Sequence, residues 1–319
     1  MDNNNFLILG GSGFVGRSLC DKLVERSGGG GSRITVPSRR IARAKHLQTL
    51  PTLQLVEADV HDEATLTRLL AGQDVVVNLI AILHGDTRAF ERAHITLPRT
   101  LAKACHAAGV QRVIHVSALG VDSAKPSEYL RSKAAGEAQL TSAGLALSVL
   151  RPSVIFGEYD RFMNLFASLQ AVAPVVPLAG AEAQFQPVWV QDVAEAIVRC
   201  IDRPETIGKT YECAGPDVFT LAELVRLAGR WAGHERPVIG LPDGLARLQA
   251  AVMECLPGEP LMSRDNLVSM RTPNVASGKL PGLADLGITP ATLESIARSY
   301  LSAELGPGRL DRWRGMARR

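Results

Sequence analysis

Tyr129-Leu130-Arg131-Ser132-Lys133 is the segment of this chain with the plainest chemical content. Residues four apart share a helix face, so a phenol and an ammonium reach a common site. An ammonium beside a phenol stabilises phenolate. The spacing therefore predicts a Tyr129 pKa lowered toward neutrality, suited to exchanging a proton with a substrate hydroxyl or carbonyl. Tyr129 is then the acid/base and Lys133 its electrostatic partner. The competing reading is an exposed helix pair without chemistry.

A second constellation opens the chain. The apolar run Phe6–Leu9 leads into Gly10-Gly11-Ser12-Gly13-Phe14-Val15-Gly16, and an amphipathic run over 17–24 follows. Strand, glycine turn and helix in this order form a dinucleotide fingerprint: one glycine turns the chain, one admits a pyrophosphate, and one lets the helix pack on the sheet. Gly10, Gly13, Phe14, Val15 and Gly16 are thus cofactor-binding candidates, with the pyrophosphate on the helix N-terminus. Lys133 is also placed to hold the nicotinamide ribose. A plain glycine turn between any strand and helix is the rival reading.

Cofactor choice is legible after the second predicted strand. No Asp or Glu occurs from Arg26 through Val56 to bond a ribose hydroxyl, whereas Ser38, Arg39 and Arg40 follow the strand directly. A guanidinium offers bidentate bonds to a 2'-phosphate, so NADP(H) is expected over NAD(H), with a solvated basic loop as the alternative. Asp59 and Val60 are placed for the adenine edge, although Asp59 or Asp62 also suits a helix N-cap. Asn78 to Ala81 would flank the ribose and pyrophosphate.

Positioning these groups requires a particular scaffold. Short β-branched runs alternate with amphipathic stretches, the pattern of a parallel sheet with helices on both faces. Strands are predicted at 6–9, 33–36, 53–58, 75–80, 112–117 and 146–151, with 210–213 joining later, and helices near 14–26, 62–71, 88–108 and 127–143. The expectation is an α/β fold with a doubly wound parallel (Rossmann) sheet. Residues 1–155 form the NAD(P)-binding domain, and 156–319 a smaller C-terminal substrate-side region that returns some segments to the sheet. Gly28–Ser32 reads as a flexible loop.

Composition narrows the function classes. With 319 residues, 46% hydrophobic and 21% charged, the chain can bury a large core. A formal charge of +3 argues against nucleic acid. Cys20, Cys105, Cys200, Cys213 and Cys255 lack metal-ligand spacing and read as reduced thiols, so no metal site is expected. Residues 1–5 are polar and run straight into the first strand, leaving no room for a signal peptide and predicting a cytoplasmic location. The uncharged stretch 163–181 contains two prolines and reads as core or pocket wall, not a membrane span.

Further segments stand beside the glycine turn and Tyr129/Lys133: Gly109-Val110-Gln111-Arg112-Val113-Ile114-His115-Val116-Ser117, Arg151-Pro152-Ser153-Val154-Ile155-Phe156-Gly157, and Pro187-Val188-Trp189-Val190-Gln191-Asp192. On these the chain, from about Asn5 to Tyr300, resembles the extended and atypical short-chain dehydrogenase/reductase superfamily, of epimerase/dehydratase type. Tyr211-Glu212-Cys213-Ala214-Gly215-Pro216, Phe219–Leu224, Ser117–Gly120 and Ser132–Glu137 are similar to the NAD(P)-binding accessory subunit of respiratory complex I and its bacterial relatives. That resemblance implies NADPH binding more firmly than turnover, and puts Pro152, Ser153 and Val154 at the nicotinamide end. It also implies an active-site Ser or Thr two positions after Ser117. Leu119 stands there instead, leaving Ser117 or Ser123 as substitutes, and leucine donates no hydrogen bond. His94 stands where relatives carry an asparagine that supports the lysine through water; a hydrogen-bonded surface or core histidine is the other reading.

Beyond Phe156, Asp192 is expected to cap a helix over 193–201. Leu241, Leu245, Leu248, Val252 and Cys255 form one helical stripe, read as core or as the roof of an apolar cavity for a quinone, isoprenoid or acyl ligand. The tail carries Arg309, Arg312, Arg314, Arg318 and Arg319 against Asp311, with Trp313, and reads as a solvated tail or a peripheral contact with the inner face of a membrane. Two functions follow. One is an NADP(H)-dependent oxidoreductase or epimerase on an apolar or sugar-like carbonyl or hydroxyl substrate, with Tyr129, Lys133 and Ser117 as catalytic residues. The other is a cofactor-holding accessory or assembly protein linked to a respiratory complex or quinone metabolism.

Overall fold

The computed structural model describes residues 4–255, 258 and 260–302. The basic tail read from the sequence, 305–319, lies outside the described residues. Two compact units divide the chain: one takes the chain up to Pro152 with Val190–Cys213 and Ser277–Ile288, the other Ser153–Trp189, Ala214–Ala276 and the chain from Thr289.

In the first unit seven strands pair in parallel: β1 (Phe6–Leu9), β2 (Ile34–Ser38), β3 (Leu53–Glu57), β4 (Val75–Asn78), β5 (Arg112–Val116), β6 (Ala146–Pro152) and β7 (Thr210–Cys213), in the spatial order β7-β6-β5-β4-β1-β2-β3. Strands β1 and β4 are buried throughout, which suits their unbroken apolar sequences. From β1 the chain winds outward to β2 and β3, then returns to β4 on the other side. At that reversal the carboxyl ends of β1 and β4 open the crevice where such sheets take ligands.

The helices α1 (Phe14–Arg26), α2 (Glu63–Leu70), α3 (Leu97–Ala108), α4 (Glu128–Thr141) and α5 (Val190–Asp202) complete the winding. Asp62 caps α2, its Oδ2 accepting from the Thr65 N–H at 2.8 Å, which settles the choice between the two aspartates. Helix α1 packs on α5, with Lys22 paired to Glu195 at 3.1 Å.

Two helix expectations need correction. The helix predicted over 88–108 is interrupted: Thr87–Phe90 runs into a π turn at Glu91–Thr96 before α3. Pro98 has no N–H for the carbonyl of His94 four residues back, so the α-helical ladder shifts register there. Asp192 does not cap α5, because the helix starts at Val190 straight off the strand Val188–Trp189. It lies in the first turn, where its charge still meets the positive end of the dipole.

The second unit is built around Phe156, Met163, Phe166, Phe185, Leu221, Leu224, Val225 and Leu293. Its helices Met163–Val172, Leu221–Trp231 and Leu293–Leu301 supply most of that core. Buried Asp160 ties the ends together, accepting from the N–H groups of Gly157 and Phe162 and from the Tyr300 hydroxyl at 2.7 Å. The expected core stripe of helix Asp243–Glu254 is solvent-facing instead: Leu245, Leu248 and Val252 are 53%, 61% and 55% exposed. Ala246 and Ala250, four apart on a neighbouring face, are buried, because small side chains let the helix approach its support closely. Among the described residues no helix is long and apolar enough to cross a membrane.

Candidate functional site

The glycine turn follows β1 and is shaped for an anion. Gly10 has φ +80°, a left-handed conformation that favours glycine. A Cβ on Gly16 would stand 2.5 Å from the Gly10 carbonyl oxygen and from the Gly11 Cα, so only glycine lets α1 begin this close to the turn. Helix α1 has Gly13 at its N-cap, no capping side chain and no acidic residue in its first turn. Its first N–H groups and dipole are left for an outside anion, as a pyrophosphate requires.

Cationic groups gather at the carboxyl ends of β2 and β3. Arg39 and Arg40 are exposed, and Ser38 stays in its own turn, its Oγ accepting from the Arg40 N–H at 3.3 Å. Asp59 accepts from the His61 N–H at 3.1 Å and pairs with exposed Arg92 at 3.3 Å; Val60 is buried in the core. Burial and the charge of Arg92 lower the His61 pKa, with a further push from Arg39.

Between these ends, the loop after β4 is pinned by side chains. Asn78 is fully buried; its Oδ1 accepts from the Ile80 N–H at 3.2 Å, which leaves its amide to donate to His115 Nδ1, also 3.2 Å away. Leu79 donates to the Leu9 carbonyl, and a Cβ on Gly10 would meet the Leu79 carbonyl carbon at 3.2 Å. Ala81 is exposed on this loop.

Helix α4 carries Tyr129 and Lys133 and starts at buried Ser127, whose Oγ accepts from the Leu130 N–H. Lys133 is 3% exposed, and its Nζ donates to the Val116 carbonyl at 2.9 Å, immediately before Ser117. Burial lowers its pKa to about 8, opposed by the charge of Glu137. Glu137 is held in turn by a two-point ion pair with Arg151. The Tyr129 pKa moves against the expectation: burial raises it to about 12. Desolvation of the phenolate is the cause, while the Lys133 ammonium is directed at the Val116 carbonyl.

His94 is a buried, hydrogen-bonded residue. Its Nε2 accepts from the Ile82 N–H at 3.1 Å, so Nδ1 carries the proton and donates to Ser132 Oγ at 2.8 Å; that hydroxyl donates to the Tyr129 carbonyl at 2.9 Å. The hydrogen-bonded core histidine is therefore the reading that holds. Burial and the Lys133 charge keep its pKa down at about 3.

Ser117 and Leu119 follow β5 in the first unit. Ser117 Oγ is buried and bonds no described group, while its N–H donates to the Leu150 carbonyl at 2.7 Å. Such a hydroxyl asks for a partner from outside the chain. Leu119 is 1% exposed, with its N–H on the Pro152 carbonyl. Ser153 and Val154 belong to the second unit, where Ser153 Oγ and the Val154 N–H both donate to Asn274 Oδ1, at 2.7 and 2.9 Å.

Sequence reasoning did not single out Ser132, Gly136, Glu137 or His115 for the site. His115 had left a signal, a lone imidazole inside the apolar strand run Val113-Ile114-His115-Val116. It is now fully enclosed, with its pKa driven well down by burial.

Residues 6–214 match the NAD dependent epimerase/dehydratase family. The chain is 33% identical over 295 residues to the mitochondrial NADH dehydrogenase [ubiquinone] 1 alpha subcomplex subunit 9 of Mus musculus, covering 90% of this chain and 77% of that protein. It is 29% identical over 238 residues to a ceramide reductase of Caulobacter vibrioides, covering 74% and 73%. The crystal structure of gox2253 superposes with a TM-score of 0.71 at 23% identity, covering 93% of this chain and 96% of that one, and shares the fold.

Proposed function

The chain belongs to the NAD dependent epimerase/dehydratase family, and from that premise we propose that it is an NADP(H)-holding protein of the complex I accessory kind, in which nucleotide stabilises the fold or senses redox state and turnover is slight. Leu119 carries this reading. Where active relatives are expected to present a hydroxyl that orients a substrate oxygen, this chain buries an aliphatic side chain at 1% exposure. Tyr129 agrees with it, since a phenol held near 12 is a poor proton donor and acceptor at neutral pH.

The residues present fit the nucleotide. The uncapped start of α1 and the Gly10, Gly13, Phe14, Val15 and Gly16 turn would hold the pyrophosphate, and Ser38, Arg39 and Arg40 the 2'-phosphate. Asp59 and Val60 would meet the adenine, Asn78 to Ala81 the ribose and pyrophosphate, and Tyr129 and Lys133 the nicotinamide ribose. Pro152, Ser153 and Val154 would take the nicotinamide. When bound, the group supplies a hydride at its C4. Contact with a respiratory complex, at the inner face of a membrane, belongs to the same proposal, supported by the mouse relative.

Arg39→Ala tests the phosphate assignment: it should weaken NADPH about tenfold, or about 1.4 kcal/mol, and leave NADH unchanged by calorimetry. Equal weakening of both would contradict it. A second reading, an NADP(H)-dependent reductase of an apolar carbonyl or hydroxyl compound, is favoured by the unbonded Ser117 Oγ beside intact Tyr129 and Lys133 and by the relative named ceramide reductase. Tyr129→Phe separates the two: a reductase loses turnover while keeping nucleotide, and a holder has no turnover to lose.

A further inference from the structure

We propose that His94 is a positioning residue that ties the loop after β4 to the Tyr129/Lys133 helix, so that two walls of the nucleotide site keep one register. The inference rests on reading the first unit as an NADP(H) site.

The tie has a defined polarity. It accepts a backbone N–H at Ile82 and donates to a hydroxyl at Ser132, which only the neutral Nδ1–H tautomer does. On the loop side the contacts continue. Ile80 is held by Asn78 two residues earlier, and Leu79 lies against Gly10 of the phosphate turn. On the helix side, the Ser132 hydroxyl donates a hydrogen bond to the Tyr129 carbonyl, one turn before Lys133. The imidazole also stands edge-on to the Tyr129 ring, 5.6 Å between centroids, and 5.6 Å from the Phe90 ring.

Backbone docking fixes the same place a second time. A Cβ on Gly136 would fall 1.7 Å from the His94 carbonyl oxygen and 3.3 Å from Pro98, so α4 lies directly on the π turn. His94 is 2% exposed, and the neighbouring Lys133 charge opposes its protonation. A neutral donor–acceptor here connects two cofactor-facing segments without adding a second cation beside the lysine.

NADPH fluorescence titration of the full chain tests the tie, with thermal unfolding recorded for each variant. His94→Phe keeps an apolar ring and loses both hydrogen bonds; affinity should fall about tenfold. His94→Gln, which restores one acceptor and one donor, should recover most of that loss. Ser132→Ala should cost about threefold alone and nothing further in the His94→Phe background. Wild-type affinity in His94→Phe, or no recovery in His94→Gln, overturns the tie. Should His94→Phe fail to fold, Ser132→Ala decides, and unchanged affinity there counts against it. A wild-type chain that binds no nicotinamide nucleotide refutes the parent reading and the tie with it; binding that is indifferent to His94 refutes the tie alone.

Discussion

Helix α4 of the first unit and helix Asp243–Glu254 of the second use their faces in opposite ways. Helix α4 buries a serine, a lysine, a glycine and a glutamate together with Leu130 and Leu140, and its buried polar groups meet named partners: Ser132 with His94, Lys133 with Val116, Glu137 with Arg151. The second helix buries only Ala246 and Ala250 and turns Leu245, Leu248 and Val252 to solvent. Hydrophobic pattern alone would rank them the other way. Buried polar groups are tolerated where each finds a partner, and that demand fixes geometry more tightly than apolar contact does.

Acid should expose the difference most strongly. His94 has a folded-state pKa of about 3 against 6.5 for a free imidazole, so the unfolded chain binds the extra proton between those values. Its contribution is present above pH 6.5 and is lost as pH falls toward 3, on the order of 5 kcal/mol in all. Lys133, at about 8 against 10.5, makes stability rise again as pH climbs between those values, because the unfolded chain holds its proton longer. Urea midpoints against pH should show both windows, and His94→Phe should shrink the acid one to the part that buried His115 supplies. A flat profile would break the contrast.

Two glycines sharpen it. Gly136→Ala forces a Cβ into the His94 backbone and should cost about 3 kcal/mol or more. Gly244→Ala, in the solvent-facing helix with nothing within 4 Å, should gain about 0.5 kcal/mol from lower chain entropy. Equal effects in urea denaturation would mean the two helices are packed alike. The smallest effect is expected at Leu248→Ser, within about 0.5 kcal/mol despite the loss of a large apolar side chain. A loss of about 3 kcal/mol would mean that this face is covered in the folded protein.

The seven strands were legible in the sequence to within two residues at either end, because parallel strands buried on both faces leave continuous apolar runs such as Val75-Val76-Val77. Glycine turns were legible for a similar reason: their requirement is local. What was not legible depended on neighbours distant in the chain. The shift at Tyr129 needed its degree of burial, and the partners of His94 needed the loop at Ile82 and helix α4 brought together. The face used by helix Asp243–Glu254 depended on whether alanines or leucines met the support. Asp192 failed on a boundary of three residues, since strand Val188–Trp189 passes into α5 without a linker.

The central claim is that the first unit holds NADP(H), with its diphosphate on the start of α1. Calorimetric titration of the purified chain, freed of nucleotide by denaturation and refolding, with NADPH, NADP+, NADH and NAD+ tests it most directly. Tighter binding of the phosphorylated pair, abolished by Gly16→Ala, is the predicted result. No heat with any of the four from a refolded, cooperatively melting chain would contradict it.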